Sequence, residues 1–273
     1  MIDIETIKRL GNEVMKELGP YYRETTYEEA FAHELRLCNI PYERQRNIEI
    51  IYKGFSVGFR RPDCILYPLW SGSKEEFLVE MKSVSKIEKH HLRQAEIYLA
   101  SMNIKSGVVL NFNQKLKTAE VEEVQRPDRE VKKETSRTET KRDKVSTEEL
   151  LKYATKEVLD YLGLEFLYSG KDAMDIYINS IGVELRLNGL DFYSVSYPVL
   201  YKSQKVADYT YDFVFNTGEV AKIFVYKKQE EINQQLDEFK HYNSLFGIKS
   251  AYIVAIPYES NLDIVVKSME ELL

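Results

Sequence analysis

Asp63, which follows Pro62, and the pair Glu80 and Lys82 are the residues of this sequence whose types and spacing suggest chemistry. Glu80 and Lys82 close the β-rich run Phe77 to Lys82. Residues two apart on a strand share a face, so the carboxylate and the amine project together. A neighbouring strand opening at Asp63 brings a second carboxylate beside them. Two adjacent carboxylates repel unless a cation lies between them, and an all-oxygen donor set suits Mg²⁺ or Mn²⁺. Such an ion polarises a phosphoryl oxygen and acidifies a bound water, while Lys82 orients that water or offsets charge in the transition state. The plainer alternative has Asp63 capping a turn and Glu80 and Lys82 as an exposed pair on an edge strand, because so short a motif matches many unrelated strands.

The elements that must position these groups follow from apolar periodicity. Ala30, Phe31, Leu35 and Cys38 form a stripe at three- and four-residue spacing, which predicts a helix over Tyr27 to Cys38. Arg46 to Tyr52 alternates as a strand, Asp63 to Tyr67 enters the core, and a polar loop from Ser71 to Glu76 precedes Phe77 to Lys82. A second helix over Glu88 to Met102 carries Leu92, Ala95, Leu99 and Met102 on one face, and Gly107 to Phe112 is a closing strand. Glu34 lies beside the first helix's apolar stripe, where an unpaired carboxylate is costly, so it is the preferred third acid. Glu24 competes with it, although its place at the helix start also fits a capping role. Gln94, four residues before Tyr98 on one helical face, suits a contact to phosphate or to a metal-bound water, and equally an interior hydrogen bond. His90 and His91 lie one turn earlier.

The chain of 273 residues exceeds the usual size of one domain. Hydrophobic residues make up 44% and charged residues 30%, enough for packed cores, and no apolar run reaches the length of a membrane span. The N-terminal segment has acids among its first residues and a helical pattern, so it does not read as a signal peptide, and an intracellular, cytoplasmic location is expected. Cys38 and Cys64 sit among apolar residues as free thiols, and no paired spacing with the four histidines suggests zinc. A net charge of -6 argues against coating nucleic acid by bulk electrostatics. Basic residues nevertheless outnumber acids between Arg44 and Arg93.

The run AEVEEVQRPDREVKKETSRTETKRDKVSTEE has high charge and scarcely any large apolar residue, the composition of a linker. It divides the chain into residues 1–118, a linker over 119–147, and residues 148–273. The flanks repeat one another. Ala32 to Glu43 matches Gly182 to Tyr193, Asp63 matches Asp212, and Ile97 to Phe112 matches His241 to Ile256. In the same alignment Val225 stands for Glu80, Lys227 for Lys82 and Glu238 for Gln94. The second copy is therefore expected to lack a metal site and to serve in binding or architecture. Its tyrosines, Tyr193, Tyr197, Tyr201, Tyr209 and Tyr211 among them, suit either a protein-interaction surface or a β-rich core.

The first copy also carries, in order, LGP (Leu18 to Pro20), Glu24-x-x-Tyr27, EEA, HEL, YERQ, YKG, PD, VEMKSV, Gln94-x-x-x-Tyr98-Leu99 and GVVLNFN. In these landmarks it resembles the GxxExxY proteins, predicted members of the PD-(D/E)XK nuclease superfamily. It departs from them at the first glycine of the namesake motif, where Tyr21 stands. The resemblance spans roughly Ile7 to Asn113 and, taken with the repeat, implies two restriction-endonuclease-like α/β domains in tandem, the second degenerate. It further implies Asp63, Glu80 and Lys82 as the nuclease core, with Gln94 and a helix acid, Glu34, completing it. Metal ligands would be Asp63, Glu80 and Glu34, the ion Mg²⁺ or Mn²⁺, and the substrate nucleic acid, DNA before RNA. A protein partner would use the second domain, and no membrane is involved.

Overall fold

The computed structural model describes residues 4–67, 76–128, 145–164, 166–167, 173–258 and 262–268. These divide into two compact units, one holding residues 4–128 and the other 145–268. Most of the predicted polar loop Ser71 to Glu76 and the middle of the predicted linker lie outside the described residues.

In the first unit, helix α1 (Ile4–Leu18) buries Ile7, Leu10, Gly11, Val14 and Met15, a stripe at helical spacing. A Cβ on Gly11 would lie 2.8 Å from the Ala119 Cβ, so glycine lets this helix pack closely on the sheet beneath. Helix α2 (Glu24–Leu37) starts three residues earlier than its apolar stripe suggests and buries Tyr27, Glu28, Phe31, Ala32 and Leu35. Short β1 (Tyr42–Arg44) is followed by β2 (Ile48–Tyr52) and β3 (Phe55–Arg60), a separate hairpin. Its two-residue turn, Lys53 and Gly54, has φ of 46° and 81°, the left-handed pair that suits the twist of a tight hairpin. Then come β4 (Cys64–Leu66), β5 (Phe77–Lys82), helix α3 (Lys89–Met102), β6 (Ser106–Asn113) and β7 (Thr118–Gln125).

The main sheet runs β1-β4-β5-β6-β7. β4 and β5 are antiparallel, β5 and β6 are parallel across α3, and β7 returns antiparallel. β5 and β6 occupy central positions and are accordingly almost continuously apolar, which makes the buried Glu80 conspicuous. β7 corrects the linker boundary at 119. Its composition is that of a linker, yet Ala119 and Val124 are buried, one on each face, and all eight of its residues from Thr118 to Gln125 pair with β6. An edge strand with glutamates on its exposed positions has the charge content that hid it.

In the second unit, helix α4 (Thr147–Leu162) opens with a capping box between Ser146 and Glu149. Helix α5 (Ala173–Leu187), β8 (Phe192–Tyr201), β9 (Gln204–Phe215), β10 (Val220–Tyr226), helix α6 (Gln229–Phe246), β11 (Ala251–Pro257) and β12 (Val265–Ser268) follow. The expected β9–β10 turn at Asn216-Thr217-Gly218 is present, with Gly218 at φ 86°. The sheet order is β12-β11-β10-β9-β8. From β9 to β12 the directions repeat those from β4 to β7: an antiparallel pair, a parallel crossover through a helix, then an antiparallel strand. The tyrosines serve more than one purpose. Tyr211 is buried, and Tyr209 stacks on Tyr242 at 3.8 Å between ring centroids. Tyr193 and Tyr201 are exposed on the β8–β9 hairpin. No helix among the described residues is long and apolar enough to cross a membrane.

Candidate active site

The antiparallel register of β4 with β5 pairs Cys64 with Val79, which sets Asp63 opposite Glu80 one step further along. Asp63 Oδ2 accepts the Met81 amide at 2.7 Å, and the Asp63 amide lies 3.4 Å from Glu80 Oε2. Strand alternation puts Lys82 on the face of Glu80, and its Nζ donates to Glu80 Oε1 at 2.8 Å. The amino group and both carboxylates thus occupy one spot at the end of β5.

The chain beyond Lys82 is pinned from several sides. Glu24 Oε2 accepts the Ser83 amide at 2.9 Å, Asn111 brackets Val84 through both its amide and carbonyl, and Asn113 Nδ2 donates to the Ser85 carbonyl at 3.0 Å. Both asparagine amides also donate to Glu120 Oε2 on β7, so the misjudged strand helps to hold the loop behind the site. On the helix side, Gln94 Nε2 donates to the Tyr98 hydroxyl at 3.0 Å. Gln94 therefore makes the interior hydrogen bond, within a buried polar stripe that feels the charges of Glu80, Lys82 and Asp63.

The α2 acid that reaches this cluster is Glu24. Its carboxylate meets Ser83 and feels Lys82, Glu28 and Glu80. Glu34 is half-buried and ten residues further on, about 15 Å along the helix axis. Glu34 lies beside the apolar stripe of the helix but too far along the axis to meet the cluster. Glu28, one turn from Glu24 on the same face, is buried with its carboxylate 3.4 Å from Arg44 Nη2. The spacing Glu24, Glu28 was visible in the sequence as two acids in line on one helical face.

Electrostatics mark the cluster as short of positive charge. Burial, then the Glu80 carboxylate, push the Asp63 carboxyl well above the usual range, against the pull of Lys82 and the Met81 amide. Burial also raises Glu24, opposed first by Lys82. For Lys82 burial works against the charge, but Glu80, Asp63 and Glu24 more than offset it and hold the ammonium form. A lysine kept charged is an electrostatic partner and hydrogen-bond donor, and it does not accept the proton of an attacking water.

Among the described residues no three His, Cys, Asp or Glu side chains form a preassembled metal cage. Mg²⁺ does not require one, since it is commonly bound by one or two carboxylates plus water and substrate phosphate. Buried, mutually repelling Asp63 and Glu80 with one ammonium beside Glu80 fit that requirement.

In the second unit, Asp212 Oδ2 accepts the Ile223 amide at 2.7 Å, as Asp63 accepts that of Met81. Ala221 pairs with Phe213, which sets Lys222 opposite Asp212. The parallel neighbours agree: Glu80 faces Val109 and Lys222 faces Ile253, positions that coincide in the repeat of Ile97 to Phe112 with His241 to Ile256. Lys222, and not Val225, therefore stands where Glu80 stands. Lys227 is not the partner of Asp212 either: its ammonium lies over the Tyr258 ring, 4.1 Å from the centroid.

With this geometry the class of domain can be stated. Residues 3–126 match the family model of the PD-(D/E)XK nuclease superfamily, so the chain carries a PD-(D/E)XK domain at its N-terminus. No curated protein and no solved structure matches the chain significantly.

Proposed function

We propose that the first unit is a divalent-metal-dependent nuclease of the GxxExxY group, hydrolysing phosphodiester bonds in nucleic acid, with DNA as the expected substrate. The observation that carries this reading is the convergence of Asp63, Glu80 and a charged Lys82 at the end of one buried strand. Asp63 and Glu80 would hold Mg²⁺ or Mn²⁺, with Glu24 the helix acid beside them in place of Glu34. The bound ion would supply Lewis-acid stabilisation of the phosphoryl oxygens and a more acidic water. Lys82 supplies a fixed positive charge for the developing negative charge on phosphate. Tyr21 supports the group assignment, since at φ 80° it adopts a conformation that favours glycine, the residue those proteins carry there.

The second unit reads as a degenerate copy without catalysis. Its aspartate is neutralised by Lys222, and a stacked Tyr209–Tyr242 pair packs beside that site. The exposed Tyr193, Leu200, Tyr201 and Val206 on its β8–β9 hairpin suit a protein-binding role.

The test incubates the full-length protein with labelled single- and double-stranded DNA and RNA in Mg²⁺, Mn²⁺ or EDTA, beside Asp63→Asn. Metal-dependent cleavage that is absent from the variant is expected. Failure to cut any substrate under all conditions, or equal cutting by the variant, overturns the reading.

A further inference from the structure

His91, Gln94 and Tyr98 fall at positions i, i+3 and i+7 of α3, and all three are buried. They form one polar stripe. Its far end, Tyr98, feels the charges of Glu80, Lys82 and Asp63, and its near end, His91, feels that of Lys82. β5 ends at Lys82 and α3 opens soon after at Lys89, so the first turn of the helix, with His91, lies at the strand end that carries the acidic cluster.

The imidazole of His91 is fixed at one nitrogen. Its Nδ1 accepts the Glu88 amide at 2.9 Å in the capping box that starts α3. An acceptor at Nδ1 places the proton of the neutral ring on Nε2. Protonating Nδ1 would set two N–H groups against each other. Burial, then the neighbouring His90 and Lys82, also lower the His91 pKa to about 4, so the ring stays neutral above that pH. Among the described residues Nε2–H has no hydrogen-bond partner. A neutral donor of fixed tautomer, within electrostatic reach of Lys82, is thus free to meet an acceptor that a substrate brings.

We infer that His91 is a substrate-contacting residue whose Nε2–H donates to an anionic oxygen of the bound phosphodiester, alongside the Lys82 ammonium. The inference rests on the nuclease reading of the same site. A neutral donor adds a directed hydrogen bond to the anion without a second ammonium-like charge next to Lys82. It also adds nothing that competes for a cation held by Asp63 and Glu80.

Two near-isosteric variants separate this role from the helix cap. Asparagine places an oxygen close to the position of Nδ1 and keeps the cap while removing the distant donor. Glutamine places an amide nitrogen close to Nε2 and gives up the cap. Full-length wild type, His91→Asn and His91→Gln are compared in thermal unfolding, in single-turnover cleavage of labelled oligonucleotides, and in fluorescence anisotropy with the same oligonucleotides and Ca²⁺.

The expected result is that His91→Asn melts like wild type yet loses about ten- to a hundredfold in cleavage or oligonucleotide affinity. His91→Gln is expected to melt lower while retaining most of both. The reverse pattern, with asparagine active and glutamine inactive, reduces His91 to a helix cap and overturns the inference. So does wild-type behaviour of both variants, with the nuclease reading intact. If wild type neither binds nor cuts any oligonucleotide, the nuclease reading fails and the inference with it.

Discussion

Lys222 Nζ lies 3.2 Å from Asp212 Oδ1, so the second unit sets its own ammonium against the aspartate whose counterpart, Asp63, faces a second carboxylate. Exchanging Glu80's equivalent for lysine converts a pair that attracts a cation into one that already contains it. Changing Lys222→Glu should recreate the two-carboxylate arrangement. In an Asp63→Asn background, Mn²⁺ calorimetry is expected to show binding only when Lys222→Glu is added. Identical titrations of the single and double variants would count against this view of Lys222.

The pH dependence of the metal-free protein follows from Asp63. Its carboxyl is held above the ordinary value by burial, then by Glu80, so the folded state binds this proton more tightly than the unfolded chain. The resulting destabilisation is fully present above the raised pKa. It fades as pH falls through that value, and is gone below the unfolded value of about 3.9. Asparagine mimics the protonated group. In EDTA, Asp63→Asn should therefore raise the thermal midpoint at pH 7, with the difference closing near pH 4, whereas Mn²⁺ should stabilise wild type alone. A lower midpoint for the variant at pH 7 in EDTA contradicts the argument.

What the sequence disclosed depended on how local the cause was. Asp63, Glu80 and Lys82 were legible because strand alternation and one hairpin-like pairing position them. The register of the second unit was not. Asp63 and Glu80 are separated by a loop largely outside the described residues, while Asp212 and Lys222 are joined by the short turn at Asn216-Thr217-Gly218. Matching letters in two apolar strands slid the alignment by three residues toward Val225 and Lys227, and only backbone pairing corrects it. β7 stayed hidden for a related reason, since an edge strand is specified by its neighbour as much as by its own composition.

Lys82 is 2.8 Å from Glu80 and stays charged, which under the proposed nuclease function suits it to charge stabilisation. Lys82→Ala should lower single-turnover cleavage by about 10²–10³-fold, the cost of losing one preorganised group at the reacting phosphate. Mn²⁺ affinity should hold or tighten, because the cluster loses the cation that competes with the metal. Full cleavage by a folded Lys82→Ala protein would remove the lysine from the chemistry.

The two acids of α2 give the sharpest contrast between face and height on a helix. Glu24 accepts the Ser83 amide directly behind Lys82, and burial raises its pKa. Its carboxylate is therefore poorly solvated and gains from a cation or an ammonium nearby. Glu34 shares the helix but not the neighbourhood. Glu24→Gln preserves size and can still accept the Ser83 amide, so the loop should keep its place while one negative charge is lost. It is expected to weaken Mn²⁺ binding and slow cleavage at least about tenfold, which corresponds to 1.4 kcal/mol. Glu34→Gln should leave both unchanged, and thermal unfolding of each variant checks that neither has lost its fold. If Glu34→Gln abolishes cleavage while Glu24→Gln cuts like wild type, the apolar stripe was the better guide and the third acid of the site is Glu34.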